Sequence, residues 1–157
     1  MRKEISYVSG LACAVVLVGC SLDPNGERPG FGLSGEVAPA PVSDWSFTDD
    51  IPEIFIETRT GYWLPHSVTI WCVSIDGALY VGAAAPDFPK ERHWVVNVRR
   101  DPDVRLKIGG ALYERRLELI EDPEQTDLVN RAFGAKYDYD ADADPDPVVY
   151  WRVVERT

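Results

Sequence analysis

Few residues of this chain suit catalysis. His66 and His93 are its two histidines. A histidine titrates near neutral pH, so His93, the better candidate, could donate a proton to a reduced substrate; the alternative is a half-buried helix residue beside Trp94. Neither histidine has a second histidine or a cysteine at ligand spacing, which gives a zinc or haem site little support. The sequence contains no nucleophile elbow, phosphate-binding loop, zinc-protease helix or dinucleotide fingerprint. Hydrolase, nucleotidase and Rossmann-type functions therefore have no positive support.

An acidic run near the carboxyl end is a second candidate site. Carboxylates occupy alternate positions there: Asp138, Asp140, Asp142, Asp144 and Asp146. Hard cations such as calcium take several oxygen ligands, which such a loop offers. The run lacks the glycine turn and terminal glutamate of the helix–loop–helix calcium motif. A calcium site is therefore the weaker interpretation, and a solvated acidic loop is the stronger one.

The amino terminus indicates where the protein resides. Arg2 and Lys3 precede a short apolar run that is typical of a secretory signal. The sequence Leu17-Val18-Gly19-Cys20 resembles a lipobox, which implies cleavage before Cys20 and acylation of that residue with fatty acids such as palmitate. Several acyl chains hold a protein at a membrane almost permanently. Because Ser21 follows the cysteine, we expect the periplasmic face of an outer membrane rather than the inner membrane; the alternative is an ordinary cleaved signal.

Charge and cysteine content narrow the class of partner. A net charge of −10 argues against nucleic acid and against membrane attachment through a basic patch. Cys13 leaves with the signal and Cys20 carries lipid, so Cys72 has no cysteine left to pair with. In a run of β-forming residues, Cys72 is most simply a buried strand thiol.

Composition divides the chain into three parts. Residues 1–19 form the predicted signal peptide. Residues 20–44 join the lipidated cysteine to a stretch rich in Pro, Gly and short polar residues, which predicts a flexible tether. Residues 45–157 are long enough for one domain with a single core.

The domain is predicted to be mainly β, with two short helices. Asp76-Gly77 and Gly109-Gly110 mark two hairpins. The first helix is predicted over Pro89–Arg100, with Trp94, Val95 and Val98 on one apolar stripe. The second begins with the cap Asp122 and Pro123, buries Leu128, Val129 and Ala132, and has Gly134 just past its end. Six or so strands result, which favours a closed or half-closed antiparallel barrel; they are predicted at Ile54–Thr58, Ser67–Ser74 continuing into Ile75, Ala78–Gly82, Val104–Ile108, Ala111–Glu121 and Val148–Val154.

Over about residues 54–154 this order resembles the split β-barrel family of flavin-binding proteins related to pyridoxamine phosphate oxidase. Within that FMN-binding split-barrel type it is most similar to the deazaflavin-dependent nitroreductase-like branch. The stretches that carry the resemblance are Tyr80–Pro86, Lys90, Trp94–Val98 and Asp101–Leu106, with Thr58–Gly61 similar to a shortened turn of that branch and Trp151-Arg152-Val153 similar to its final strand.

The resemblance implies a site. The cofactor's phosphate would lie against the turn that contains Ala84 and Ala85 and the helix after it, with charge from Arg59, Lys90 and Arg92 and a wall from Trp94. His93 would be the proton donor. The ring would lie along Ser67–Trp71, where Trp71 either stacks on it or belongs to the core or a dimer seam. The alanine turn offers no hydroxyl and Asp87 adds negative charge, a departure that counts against phosphate binding.

The function implied is an oxidoreductase of the nitroreductase-like class that uses FMN or a deazaflavin, held at a membrane and paired as a homodimer. The alternative is a barrel that has lost its cofactor and serves as a non-catalytic envelope interaction module. The alanine turn favours the alternative, whereas Lys90, Arg92 and His93 favour the enzyme.

Overall fold

The computed structural model describes residues 23–39, 41–84, 92–143 and 148–156. Within them the chain forms eight strands, two α-helices and one short 3₁₀ turn, Ser46–Thr48. The strands are β1 (Glu36–Val37), β2 (Ile54–Arg59), β3 (Pro65–Ile70), β4 (Cys72–Ile75), β5 (Ala78–Ala84), β6 (Asp103–Ile108), β7 (Ala111–Leu119) and β8 (Val148–Glu155), and the helices are α1 (His93–Arg100) and α2 (Pro123–Tyr137). The fold is therefore mainly β, as predicted.

Seven strands form one antiparallel sheet in the order β3-β2-β6-β7-β8-β5-β4. The two outermost strands, β3 and β4, are separated in the chain by Trp71 alone. Two residue steps span at most about 7 Å, so the two ends of the sheet must lie together. The sheet consequently curls round on itself into a barrel, which confirms the predicted architecture.

Alternate residues of the strands fill the barrel. Ile54 and Ile56 of β2 and Leu106 of β6 are almost completely buried, as the period of two in a strand requires. Helix α1 covers one opening, and its Trp94 packs against Trp151 of β8 with ring centroids 5.2 Å apart. Each such side chain contributes roughly 1.5–3 kcal/mol on burial. The predicted apolar stripe of α1 is confirmed, since Val95 and Val98 are also buried.

Helix α2 packs on the outside of the barrel. Val129 and Phe133 lie against Tyr80 and Tyr150 in a second apolar cluster. The helix begins as predicted, because the Asp122 side chain accepts the N–H of Glu124 and Pro123 occupies the first turn.

The other end of α2 differs from the sequence prediction. The helix runs to Tyr137 and ends at Asp138 in the left-handed conformation, φ 56°. Gly134 therefore lies inside the helix, where an added Cβ would come within 2.8 Å of the Tyr139 carbonyl oxygen. Close packing, and not helix termination, requires glycine there. Leu128, predicted on the buried face, is exposed.

The structure tests the two predicted hairpins and the long strand predicted before the first of them. The Asp76-Gly77 and Gly109-Gly110 hairpins are confirmed, with positive φ at all four residues. The single strand predicted over residues 67–74 was wrong, because Trp71 interrupts it. A continuous strand could not lie at both ends of a closing sheet, so the chain must turn at this point.

Residues 23–39, which we call the N-terminal strap, differ from the flexible tether that their composition predicts. Strand β1 pairs in parallel with β7, opposite Ala111 and Leu112. The side chain of Leu33 is buried, and its N–H donates to the Glu57 carboxylate at 2.6 Å. Backbone pairing and one leucine therefore hold a segment that has few apolar side chains.

The predicted signal, and with it Cys20, lies outside the described residues. Helix α1 is described only from His93, so its predicted start at Pro89 also falls outside. In the part of the chain that the structure covers, no helix is long and apolar enough to cross a membrane. Acylation at Cys20 stays a prediction.

Candidate functional site

A cavity of about 660 Å³ lies beside β3, between the start of α1 and the N-terminal strap. Strand β3 has a ladder partner, β2, on one side, and on the other an isolated bridge joins Ser67 to Gly30 of the strap. The hydroxyl of Thr69 donates to the Gly26 carbonyl oxygen at 3.1 Å. The lining residues are Gly26, Glu27, Arg28, Pro29, Glu53, His66, Val68, Thr69, Trp71, Arg92, His93 and Trp94.

A second cavity, of about 540 Å³, shares part of this lining. Thr69, Trp71, Arg92 and Trp94 border both spaces. The rest of its wall is largely apolar and comes from the end of β5, α2 and β8: Ile70, Gly82, Ala83, Ala84, Phe133, Tyr139, Val148 and Tyr150. Because the four shared residues border both, we treat the two spaces as one groove, with charged side chains at one end and largely apolar ones at the other. We call it the β3 groove.

Trp71 stands at the junction of the two spaces, and α2 holds it there. Its ring stacks on that of Tyr137 with centroids 4.2 Å apart and planes 8° from parallel. The Tyr137 hydroxyl accepts the N–H of Cys72 at 3.0 Å and donates to the Pro52 carbonyl oxygen at 2.8 Å. Burial raises the pKa of Tyr137 to about 12. With 46% of its surface exposed, Trp71 presents a fixed aromatic ring to the groove.

Lys136 strengthens the same junction. Its ammonium group donates to the carbonyl oxygens of Cys72 at 2.8 Å and Thr48 at 2.9 Å. The Cys72 side chain is buried, as predicted, and burial raises the pKa of its thiol. A thiol with a raised pKa is a poor nucleophile, so Cys72 is a structural residue.

The two histidines meet at the far end of the first cavity. Their ring centroids are 6.2 Å apart, although 26 residues separate them in the sequence. Within the described residues, the Nδ1 atom of His66 is buried without a hydrogen-bond partner. Burial, and secondarily His93, lowers the pKa of His66. His66 is therefore neutral near pH 7, and its unsatisfied Nδ1 lies in the wall beside the cavity.

The charge of the first cavity differs from that of the whole chain. Arg28, Arg92 and the two histidines line it, against the carboxylates of Glu27 and Glu53. The chain as a whole carries a net charge of −10. The two arginines are balanced by the two carboxylates, so an anionic group could be held only locally, beside Arg28 or Arg92.

Most of the predicted cofactor residues that the structure describes lie in the groove. Arg92 and Trp94 border both cavities, His93 borders the first and Ala84 the second. Arg59 lies elsewhere, in a separate small pocket beside Arg100, which donates to its carbonyl oxygen. Ala85 and Lys90 lie outside the described residues.

Sequence analysis missed three residues of the groove, His66, Arg28 and Glu53. Arg28 reaches the cavity because the N-terminal strap packs against β3, which composition did not indicate. His66 was considered only as a possible metal ligand. The one sequence signal that could have identified it as a site residue is that the chain has just two histidines.

The acidic run contributes no cation site in the part that is described. Asp138 caps α2, and the carboxylate of Asp140 accepts the N–H of Asp142 at 3.1 Å. Among the described residues no three His, Cys, Asp or Glu side chains are grouped to hold a metal. Asp144 and Asp146 lie outside the described residues, so calcium binding stays a prediction.

Comparison with known proteins gives a family and a fold. The model of a family described as F420H(2)-dependent quinone reductase matches residues 52–147. No match was found among the curated proteins.

Three solved structures show the likeness in fold. A conserved hypothetical protein from Mycobacterium tuberculosis is 21% identical, with a TM-score of 0.60 over 79% of this chain and 85% of the other. HutZ, a heme storage protein from Vibrio cholerae, is 12% identical, with a TM-score of 0.55 over 71% and 86%. An F420-H2 dependent reductase is 20% identical, with a TM-score of 0.50 over 66% and 94%. These likenesses show the split β-barrel fold.

Proposed function

Because this chain belongs to the F420H2-dependent quinone reductase family, we propose that it binds a deazaflavin cofactor in the β3 groove and reduces a quinone-class acceptor. The family membership is shown by a match over residues 52–147. The observation that supports the assignment to this site is the groove itself, in which a space with two arginines adjoins a largely apolar one at Trp71.

The residues of the groove suit such a cofactor, which has a planar ring and an anionic side chain. Arg92 and Arg28 would hold the anionic part, since guanidinium groups pair well with phosphate and carboxylate. The exposed ring of Trp71 and the methyl groups of Ala83 and Ala84 would pack against the ring system. The missing hydroxyl at Ala84 would thus be offset by Arg92, which borders the same space, and by Arg28 in the adjoining one.

In this proposal the cofactor supplies the hydride, and the protein supplies the proton and excludes water. When bound, a reduced deazaflavin supplies a hydride, and a quinone that takes up this hydride and one proton becomes a hydroquinone. His93, exposed at the rim of the cavity, exchanges protons with water and passes one to the acceptor oxygen. Neutral His66 offers a hydrogen bond from the cavity wall, and Trp71 and Trp94 exclude water from the reacting atoms.

Binding is tested by titrating the folded full chain with the deazaflavin F420 and, in parallel, with FMN, followed by absorbance and fluorescence. We expect saturable binding of F420 that weakens about 10- to 100-fold in Arg92→Ala, since a charged hydrogen bond contributes about 1.5–3 kcal/mol. Arg131→Ala, which changes an exposed arginine on α2 away from the groove, is the matched control.

Turnover is tested by mixing the chain with reduced F420 and a short-chain quinone and following reoxidation. His93→Gln should slow it with little change in cofactor affinity. A folded chain that binds neither F420 nor FMN would refute the assignment and support the non-catalytic envelope module.

Lipid anchoring and pairing complete the proposal. Cys20 in its lipobox-like sequence supports acylation and a periplasmic position at the outer membrane. Mass spectrometry of the mature protein should find fatty acids on Cys20, and Cys20→Ala should release the chain from membranes. Light scattering of detergent-solubilised protein tests the homodimer.

A further inference from the structure

The hairpin between β2 and β3 ends in three consecutive exposed apolar residues. Tyr62 is 88% exposed, Trp63 76% and Leu64 58%. Tyr62 and Trp63 are the most exposed large apolar side chains among the residues that the structure describes. Single exposed apolar residues are ordinary, but a contiguous group on a protruding turn marks an interaction site.

A residue of the N-terminal strap enlarges this group. Phe31 is 58% exposed and lies between two glycines that contact the base of the hairpin. Gly30 pairs with Ser67, and a Cβ added to Gly32 would lie 3.7 Å from the ring of Pro65. We call Phe31, Tyr62, Trp63 and Leu64 together the apolar tip.

The backbone of the turn holds these side chains outward. The N–H of Thr60 donates to the Leu64 carbonyl oxygen, and its own carbonyl oxygen accepts the N–H of Trp63, both at 2.9 Å. The Thr60 hydroxyl accepts the N–H of Leu64 at 3.2 Å. Trp63 has a φ of 62°, a left-handed conformation that is unfavourable for a tryptophan. Strain of this kind persists where the surrounding structure fixes a functional geometry.

Basic residues surround the base of the tip. Arg59 ends β2, and Arg99 and Arg100 end α1. Arg100 donates to the carbonyl oxygen of Arg59, which fixes α1 to the hairpin. Asp101 is the acidic residue beside them in the small pocket at this position. Arg59 and Arg100, with Asp101 as the one acidic residue of that pocket, make a positively charged group in a chain whose net charge is −10. We call these two arginines the arginine collar.

The size and composition of the tip decide what it contacts. The exposed area of its four side chains is smaller than the roughly 800 Å² that each partner buries in a stable protein interface. A small protruding group of apolar side chains is better suited to a lipid bilayer. Tryptophan and tyrosine prefer the interface between headgroups and acyl chains, and arginines beside them pair with anionic headgroups.

We propose that the apolar tip inserts into the interfacial region of a bilayer that carries anionic headgroups, with the arginine collar against their phosphates. The net charge of −10 opposes attachment of the whole body to such a surface, so the acyl anchor holds the protein there and the tip sets its orientation. Acylation at Cys20 would tether the protein without orienting it. Insertion of the tip would fix the orientation and bring the His66 end of the β3 groove toward the membrane, because His66 follows the tip by two residues. This contact is independent of any cofactor.

The test measures the depth of Trp63, because total membrane binding of the full chain would also reflect Cys20. The full chain is bound to vesicles of phosphatidylcholine and phosphatidylglycerol in equal parts, with and without bromine on the acyl chains. Bromine quenches only tryptophans that reach it. We expect quenching of wild-type emission that Trp63→Phe largely removes.

Trp71→Phe is the matched control, since it removes a half-exposed tryptophan away from the tip and should leave the quenching in place. Quenching should also be weaker in vesicles of phosphatidylcholine alone. Equal quenching in wild type and Trp63→Phe would overturn the proposal. So would light scattering that finds a dimer lost in Trp63→Ser without any quenching, because the tip would then be a contact between two copies.

Discussion

Tyr137 secures the point where the barrel closes, so Tyr137→Phe tests the fold and the wall of the groove together. Phenylalanine keeps the ring that stacks on Trp71 but loses the hydroxyl, which accepts the Cys72 N–H and shares its proton between the carbonyl oxygens of Pro52 and Cys72. The exposed carbonyl of Pro52 can turn to water, whereas the partly buried N–H of Cys72 loses its partner. An unpaired buried donor costs about 1–3 kcal/mol, so we expect the free energy of unfolding to fall by about 2 kcal/mol.

Urea unfolding followed by circular dichroism measures this change. Tyr62→Phe, which removes a fully solvated hydroxyl, should change the free energy of unfolding by less than about 0.5 kcal/mol. The wild type should also lose stability as the pH rises from 10 toward 12, because the unfolded tyrosine releases its proton before the folded one, whose pKa is about 12. Tyr137→Phe should lack that loss. A variant as stable as the wild type at neutral pH would refute the closure that we assign to Tyr137.

Three further outcomes are expected. Leu33→Ala should lower the free energy of unfolding by about 2–3 kcal/mol, because Leu33 is buried; a change near zero in urea unfolding would mean that the N-terminal strap is a free tether. The wild type should lose stability as the pH falls below about 6.5, because the unfolded chain binds more protons than a fold in which the pKa of His66 is lowered. Thermal unfolding across this range should show a weaker dependence in His66→Gln. Gly82→Ala should cost about 1–3 kcal/mol in urea unfolding, since its Cβ would come within 2.7 Å of the buried Tyr150 ring, whose hydroxyl is fixed by Asn130.

Local signals in the sequence predicted much of the fold. The Asp76-Gly77 and Gly109-Gly110 turns could be predicted because tolerance of positive φ is a property of the turn residues themselves. The spacing of Trp94, Val95 and Val98 likewise predicted the buried face of α1. The break at Trp71 could not be found in this way, because every residue around it favours a strand. Only closure of the whole sheet requires the chain to turn there.

The N-terminal strap shows a different limit. Its order depends on backbone hydrogen bonds to β3 and β7 and on one buried leucine, and backbone groups are the same in every residue. Composition therefore cannot distinguish such a segment from a flexible one. The same limit hid Arg28 and His66 from sequence analysis, whereas Arg92, His93 and Trp94 were found because they lie in the stretch that carries the family resemblance.

The closure of the barrel also explains why the groove lies where it does. A sheet whose two ends are joined by one residue leaves β3 without a full ladder on its second side among the described residues, and the strap fills only part of that gap. Strand backbone, Trp71 and the start of α1 consequently border the space that remains. One end of β3 meets the Trp71 junction and the other leads into the apolar tip. The strand that forms the wall of the site is thus the strand that carries the tip, so loosening the junction in Tyr137→Phe should weaken cofactor binding while leaving the quenching of Trp63 unchanged.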